Sequence, residues 1–403
     1  MAIRHSLKMK KVTIEDLDQY NELLRYVFQV TNRDLTQTGW EEAEIIKDKS
    51  PALEKANVIG WFDQDKLVSQ IAVYDFNVRI YGKTFKMAGV TGVGTFPEYA
   101  NKGLMQKLIY QSLVEMKEKD QTIAYLFPYS IPYYRKKGWE LISNKISYEI
   151  SDYQLPKYHK VSGDVVRVDP EGDEVKEAYL IFAMKTHGAL LRDDIAWSEY
   201  FRWDRPDIMA AVYYSEKEKL EGALIYYIDE EIFYIKEMHF LNEDARTALW
   251  NFVSAHFSMI SKVKGDTYTD ELLSFLLEDA DIKESISPYF MGRIVDVVGF
   301  IKQYPFKADT HDRKWIFNLS DPLLEWNSGT FELFISKDGK GEINRVQKKV
   351  EDSIDIGSLT TMLLGYKRPE YLKQIRRINA SDETIDMLED AIEQQAPYFS
   401  DYF

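Results

Sequence analysis

Residues 87–105 read M-A-G-V-T-G-V-G-T-F-P-E-Y-A-N-K-G-L-M, and this stretch constrains the fold more than any other. An apolar, β-prone run ends at Thr95 and Phe96. Pro97 and Gly103 punctuate a turn, and an amphipathic helix is predicted over 103–119. There Leu104, Met105, Leu108, Ile109, Leu113 and Met116 recur at helical spacing, with charges between them. That order sets the unpaired N–H groups of a helix start beside the end of a strand, which suits a phosphate. The N–H groups of Lys102, Gly103, Leu104, Met105 and Gln106 can reach such an anion, and Gly103 lets the backbone approach closely. Strand-end groups at Val93 and Thr95 can pair with an extended amide arm as an added strand would. Lys102 and Lys107 sit where the helix dipole disfavours cations. A bound phosphate would reverse that penalty; two solvated surface lysines are the alternative.

Three regions separate by pattern. In the first, 1–150, a helix is predicted near 14–30, strands at 57–62, 66–80, 84–95 and 122–127, a short helix at 131–136 and further strands over 139–150. Residues 151–164 read as a linker. The second region runs to 288. It repeats the order, with a helix at 173–186, strands at 210–214, 221–229 and 231–240, and a helix at 243–261. The third, 289–403, carries strands around 315–319 and 330–336 and helices near 356–364 and 381–394. Strands first, then alternating strands and helices, is α+β or α/β order. A chain of 403 residues exceeds one ordinary core, so several domains are expected.

Composition narrows the function classes. The net charge of −15 repels nucleic acid and anionic lipid and attracts cations. No apolar run is long enough to span a membrane, and residues 1–11 do not read as a leader. With no cysteine there is no disulfide, thiolate metal site or Cys nucleophile, which fits a reducing cytoplasm. The six histidines are scattered, none at metal-ligand spacing, so no metal is expected.

The segment 93–105 resembles the acyl-CoA motif of GNAT N-acetyltransferases. The stretch F-P-Y-S-I-P-Y-Y-R-K-K-G-W-E at 127–140 resembles one branch, the Eis (enhanced intracellular survival) family. The resemblance continues in M-G-R-I-V-D-V at 291–297, L-L-G-Y-K-R-P at 363–369 and the aromatic end P-Y-F-S-D-Y-F, so it spans nearly the whole chain. It implies two GNAT domains followed by a sterol-carrier-protein-like domain, and acetyl transfer from acetyl-CoA to amines. It also implies a homo-oligomer, a hexamer in that family. Val93, Gly94, Thr95, Asn101, Lys102, Gly103, Leu104, Met105, Gln106, Tyr129 and Ser130 would then hold acetyl-CoA. Two departures stand out. Ala100, Asn101 and Lys102 replace the family's Arg or Gln pattern, and Met105 stands where a small residue is usual. Both imply that backbone contacts carry more of the binding. In the second region the matching turn, L-N-E-D-A-R, has no Gly and places Glu243 and Asp244 where phosphate would sit. One acetyl-CoA per chain is therefore expected.

Acetyl transfer needs a base for the amine and an acid for the departing thiolate. By resemblance Tyr134 is the acid, and a phenol is neutral at pH 7; Tyr129 and Tyr133 are neighbours among 27 tyrosines. Four aromatics among the last six residues are costly to leave in water, so the tail should dock. By resemblance the terminal carboxylate of Phe403 is the base, against the alternative of a tail that only tethers the third domain. Asp401 could add negative potential that holds an ammonium group. The acceptor is expected to be a cationic amine: an aminoglycoside, a polyamine or a lysine side chain. Two other readings stay open, a non-catalytic acyl-CoA-binding module and, less well supported by its charged sequence, a lipid-carrying third domain.

Overall fold

The structure is a computed structural model that describes residues 7–30, 50–202, 207–269 and 272–403. Part of the 1–11 stretch thus lies outside the described residues. In chain order the first elements are β1 (Leu7–Lys11), α1 (Leu17–Phe28), α2 (Ser50–Lys55), β2 (Asn57–Asp63), β3 (Lys66–Ile80) and β4 (Lys83–Thr95). Then come α3 (Leu104–Glu118), β5 (Ile123–Leu126), α4 (Ile131–Arg135), β6 (Glu140–Leu141) and β7 (Asn144–Ser151). The middle of the chain forms β8 (Asp164–Val168), α5 (Asp173–Lys185), α6 (Asp194–Phe201), β9 (Met209–Tyr214) and β10 (Leu220–Asp229). It continues with β11 (Ile232–Phe240), α7 (Glu243–Ser254), β12 (Lys262–Thr267), β13 (Lys283–Pro288) and β14 (Met291–Ile294). The last third contains α8 (Val297–Gln303), β15 (Arg313–Ser320), β16 (Gly329–Ile335), β17 (Gly341–Arg345) and β18 (Ser353–Asp355). It closes with α9 (Ile356–Leu363), α10 (Pro369–Gln374), β19 (Ile378–Asn379) and α11 (Asp382–Ala391).

Three sheets result. The first runs β1-β2-β3-β4-β5-β14-β6, the second β8-β9-β10-β11-β12-β7-β13, and the third β17-β16-β15-β18-β19. The first two share one plan, as the repeated order of predicted elements implies. Each has an antiparallel meander, one parallel pair (β4 with β5, β11 with β12) and then two more strands. Yet they exchange a strand. β14 inserts between β5 and β6, while β7 inserts between β12 and β13. A division of the sequence at 150 and 288 therefore does not coincide with the sheets. The helix predicted over 243–261 stops at Ser254, and its last predicted residues lead into β12. Twelve elements had no sequence-level expectation: β1, α2, β8, α6, β12, β13, β14, α8, β17, β18, α10 and β19.

Apolar periodicity explains why the elements bury as they do. On α3, Leu108, Ile109, Leu113 and Met116 pack against Val73, Ala88 and Val90 of the sheet. Each such burial contributes on the order of 1.5–3 kcal/mol. A second core joins the first and third domains, running from Phe76 and Phe85 through Phe300 and Phe317 to Phe399 and Phe403. Among the described residues no helix is long and apolar enough to cross a membrane.

His187 ties the three domains together. Its Nδ1 accepts from the Tyr81 N–H at 3.2 Å, its Nε2–H donates to the Leu364 carbonyl at 2.8 Å, and its ring stacks on Tyr81 at 3.8 Å. His239 is equally buried, and its ring nitrogens find no hydrogen-bond partner among the described residues. Burial lowers both imidazoles from 6.5 to about 4. Between those values the unfolded chain binds more protons than the folded one. Stability should be full above about pH 6.5 and fall as pH drops towards 4, by roughly 1.4 kcal/mol per pH unit for each imidazole. A thermal midpoint that stays level from pH 7 to 4.5 would contradict this, and His187→Gln should flatten part of the slope.

Candidate active site

The site begins where β4 leaves β5. The parallel pairing covers Met87–Val90 against Ile123–Leu126 and stops there. Residues 91–95 of β4 continue with no β5 partner on that side. Their other edge pairs with β3 through a bulge, because Thr91 faces Ala72 while Gly94 faces Gln70. Gly92 carries the bulge with φ +60°, and a Cβ there would meet the Tyr20 hydroxyl at 2.6 Å. A side chain there would be strained by the backbone and would have to displace the Tyr20 hydroxyl. After Pro97–Tyr99 the backbone turns through Asn101 (φ +60°) and Gly103 (φ +72°) into α3. No side chain caps that helix, and its first backbone bond is Lys107 N–H to the Gly103 carbonyl at 3.2 Å. The preceding N–H groups are left for a ligand.

These features line one cleft of about 730 Å³. Val93, Gly94, Thr95, Asn101, Gly103 and Leu104 form one side of it, with Met105 and Gln106 at the helix start. Tyr129, Ser130 and Tyr134 come from the segment around α4, and Phe403 reaches in from the chain end. An open strand edge, uncapped helix N–H groups and free space beside Gly103 fit an extended amide arm ending in a pyrophosphate, as in acetyl-CoA. Lys102 stands between Asn101 and Gly103, which both line the cleft, and its ammonium lies 4.5 Å from the centre of the Tyr99 ring. One expected role is corrected. Asp401 is buried and paired with Arg192 at 2.7 Å, so it has no free charge to offer an ammonium group.

Tyr134 sits on α4, 6% exposed, between the rings of Tyr133 and Trp139. Burial, with Tyr133 adding, pushes its phenol up, so it carries its proton at every physiological pH. Among the described residues its hydroxyl makes no hydrogen bond and is left for the cleft. The tail is docked. The Phe403 ring packs on Phe76 and Phe290, and a Cβ on Gly89 would come within 3.0 Å of it.

A second chamber of about 580 Å³ also borders the tail. It shares Phe28, Thr91, Gly92, Tyr402 and Phe403 with the cleft. Its charged lining is Arg25 of α1 and Glu199 of α6, whose carboxylate accepts from the Tyr74 hydroxyl at 2.8 Å and pairs with Arg202. Sequence reasoning missed Glu199, Tyr74, Tyr20 and Gly92. Only Gly92 had a local signal, as the middle glycine of the run G-V-T-G-V-G. In the second domain the start of α7 is already occupied. Asn242 caps it through the Ala245 N–H, and Glu243 and Asp244 fill its first turn. The groove of about 550 Å³ on that domain, lined by Tyr227, Tyr234 and Lys264, includes no residue of α7.

Comparison with known proteins agrees with this architecture. Residues 8–142 and 188–294 each match a family described as an acetyltransferase (GNAT) domain, and 297–400 match a sterol carrier protein domain. The chain is thus two GNAT domains followed by a sterol-carrier-like domain, and its first unit is an acyltransferase domain. It is similar to an uncharacterized N-acetyltransferase of Streptomyces avermitilis, 23% identical over 86% of this chain and 88% of that one. A Streptomyces griseus relative with the same description is 21% identical over 60% of this chain, which spans 64% of its length. Among solved structures, a probable N-acyltransferase of unknown function from Enterococcus faecalis superposes with a TM-score of 0.89. It is 24% identical, over 99% of this chain and 100% of that one. Eis1 from Mycobacterium abscessus gives 0.79 at 16% identity, over 98% and 100%. At these identities the structural likeness speaks for the fold.

Proposed function

We propose that this protein transfers the acetyl group of acetyl-CoA to an amine of a cationic acceptor: a polyamine, an aminoglycoside or a lysine side chain. The observation that carries the reading is the division of the site. Tyr134 borders only the cofactor cleft, whereas Phe403 borders both the cleft and the second chamber. An acid is needed on the sulfur side and a base on the amine side. The terminal carboxylate of Phe403, directly or through one water, takes the proton of the attacking amine. Unpaired backbone groups of residues 91–95 are at hand for the carbonyl oxygen. Tyr134 gives its proton to the departing thiolate. The net charge of −15 draws a polycation to the second chamber. The Eis-like motifs favour a broad amine range and assembly as a homo-hexamer. The absence of cysteine favours work in the cytoplasm.

The test is release of CoA thiol from acetyl-CoA by the untagged protein, with polyamines, aminoglycosides and lysine-rich peptides as acceptors. Acceptor-dependent release supports the reading. Tight acetyl-CoA binding without release for any acceptor would turn it towards a binding module. Calorimetry should give one acetyl-CoA per chain, because Glu243 and Asp244 repel phosphate from the start of α7. A stoichiometry of two would refute that assignment.

A further inference from the structure

The rings of Phe399 and Phe403 pack on the first domain, but the polar groups of residues 398–401 are held chiefly by the second. Arg192, between α5 and α6, has a fully buried guanidinium. Its Nε donates to Asp401 at 2.7 Å. Its two terminal nitrogens donate to the two oxygens of Glu237 on β11, each at 3.0 Å, and one also reaches the Ser400 hydroxyl at 3.2 Å. The rings of Tyr179 and Tyr200 lie 3.7 and 3.9 Å from the guanidinium carbon. Around this hub the tail makes further bonds. Ser400 and Tyr398 donate their hydroxyls to Glu237, Tyr179 donates to the Asp401 carboxylate, and Tyr289 donates to its carbonyl.

Stability alone does not explain such a hub. Burying an arginine with two carboxylates costs desolvation that apolar packing of the same volume would avoid. What a planar, bidentate fork adds is a single register. Two residues span at most about 7 Å, so fixing Asp401 confines the carboxylate of Phe403 to a small volume. We infer that the second GNAT domain, which lacks a cofactor turn, acts as a cradle that aims the chain's own end into the first domain's site, with Arg192 as its positioning residue. This rests on the reading of the Phe403 carboxylate as base.

The experiment compares Arg192→Lys and Asp401→Asn with the unaltered protein and with one extended by a single C-terminal glycine. Arg192→Lys keeps the charge and loses the fork; Asp401→Asn keeps the shape and loses the ion pair. In both, kcat should fall at least tenfold, while the calorimetric Kd for acetyl-CoA stays within twofold. The pH profile should also change. With the base misplaced, log kcat should climb with pH at unit slope where the unaltered enzyme is level, a change that loss of stability alone would not produce. If the glycine extension abolishes turnover and both variants keep kcat within twofold and a level profile, the cradle is refuted and the base stands. If the extension leaves kcat unchanged, the base reading falls instead. Should Asp401→Asn fail to fold, Arg192→Lys decides.

Discussion

Replacing Tyr134 with phenylalanine should lower kcat by about 10²-fold or more and leave acetyl-CoA binding intact. General acids contribute roughly 10²–10⁴ to such transfers. The substitution removes one oxygen from a side chain already fixed by Tyr133 and Trp139, so the cleft keeps its shape. The hydroxyl makes no other bond among the described residues, and its loss leaves no buried partner unsatisfied. Folding should therefore be unaffected, and single-turnover rates should show the loss in chemistry. Tyr133→Phe serves as the control, since Tyr133 lines the same cleft. An equal loss in both variants, or none in Tyr134→Phe, would remove Tyr134 from the acid's role.

The second large effect is expected at the other end of the proton path. Adding even one residue after Phe403 turns its carboxylate into an amide and moves the charge by about 3.5 Å. Phe403 is 7% exposed and wedged between Phe76 and Phe290, so the added residue must enter the cleft or the second chamber. Turnover should drop by roughly 10²-fold or more. The proposed cofactor anchor at α3 lies on a different element, so acetyl-CoA should still bind. Full activity in the extended protein would refute the carboxylate as base.

The turn and helix that line the cleft were legible in the sequence because their parts are local. A strand end, a Pro-marked turn, a glycine at positive φ and an amphipathic helix follow one another within residues 87–118, and each obeys a short-range rule. The second chamber was not legible. Glu199 and Tyr74 meet across 125 residues, and neither has a neighbour in sequence that marks it. Asp401 was misread for the same reason: nothing near the chain end discloses a buried arginine 209 residues earlier. Lys102 shows a different limit. Its position at a helix start favours a phosphate, but an aromatic ring centred 4.5 Å from its ammonium competes, and only the turn's geometry decides between them. The sheets repeat this pattern. The meanders could be read from alternation, whereas M-G-R-I at 291–294 is a four-residue β-prone run compatible with any open edge.

The strand exchange between the first two sheets bears on how this chain is made. Ile123–Leu126, all buried in the finished protein, forms an edge that waits for β14. At about 5–20 residues per second a ribosome needs roughly 8–33 s to make the intervening stretch. Through that interval the nascent first domain carries an open, apolar sheet edge of the kind that recruits other chains. The first GNAT domain is thus begun first and closed only after its neighbour has been synthesised. Chaperone dependence during translation should accordingly centre on the segment between residues 126 and 291.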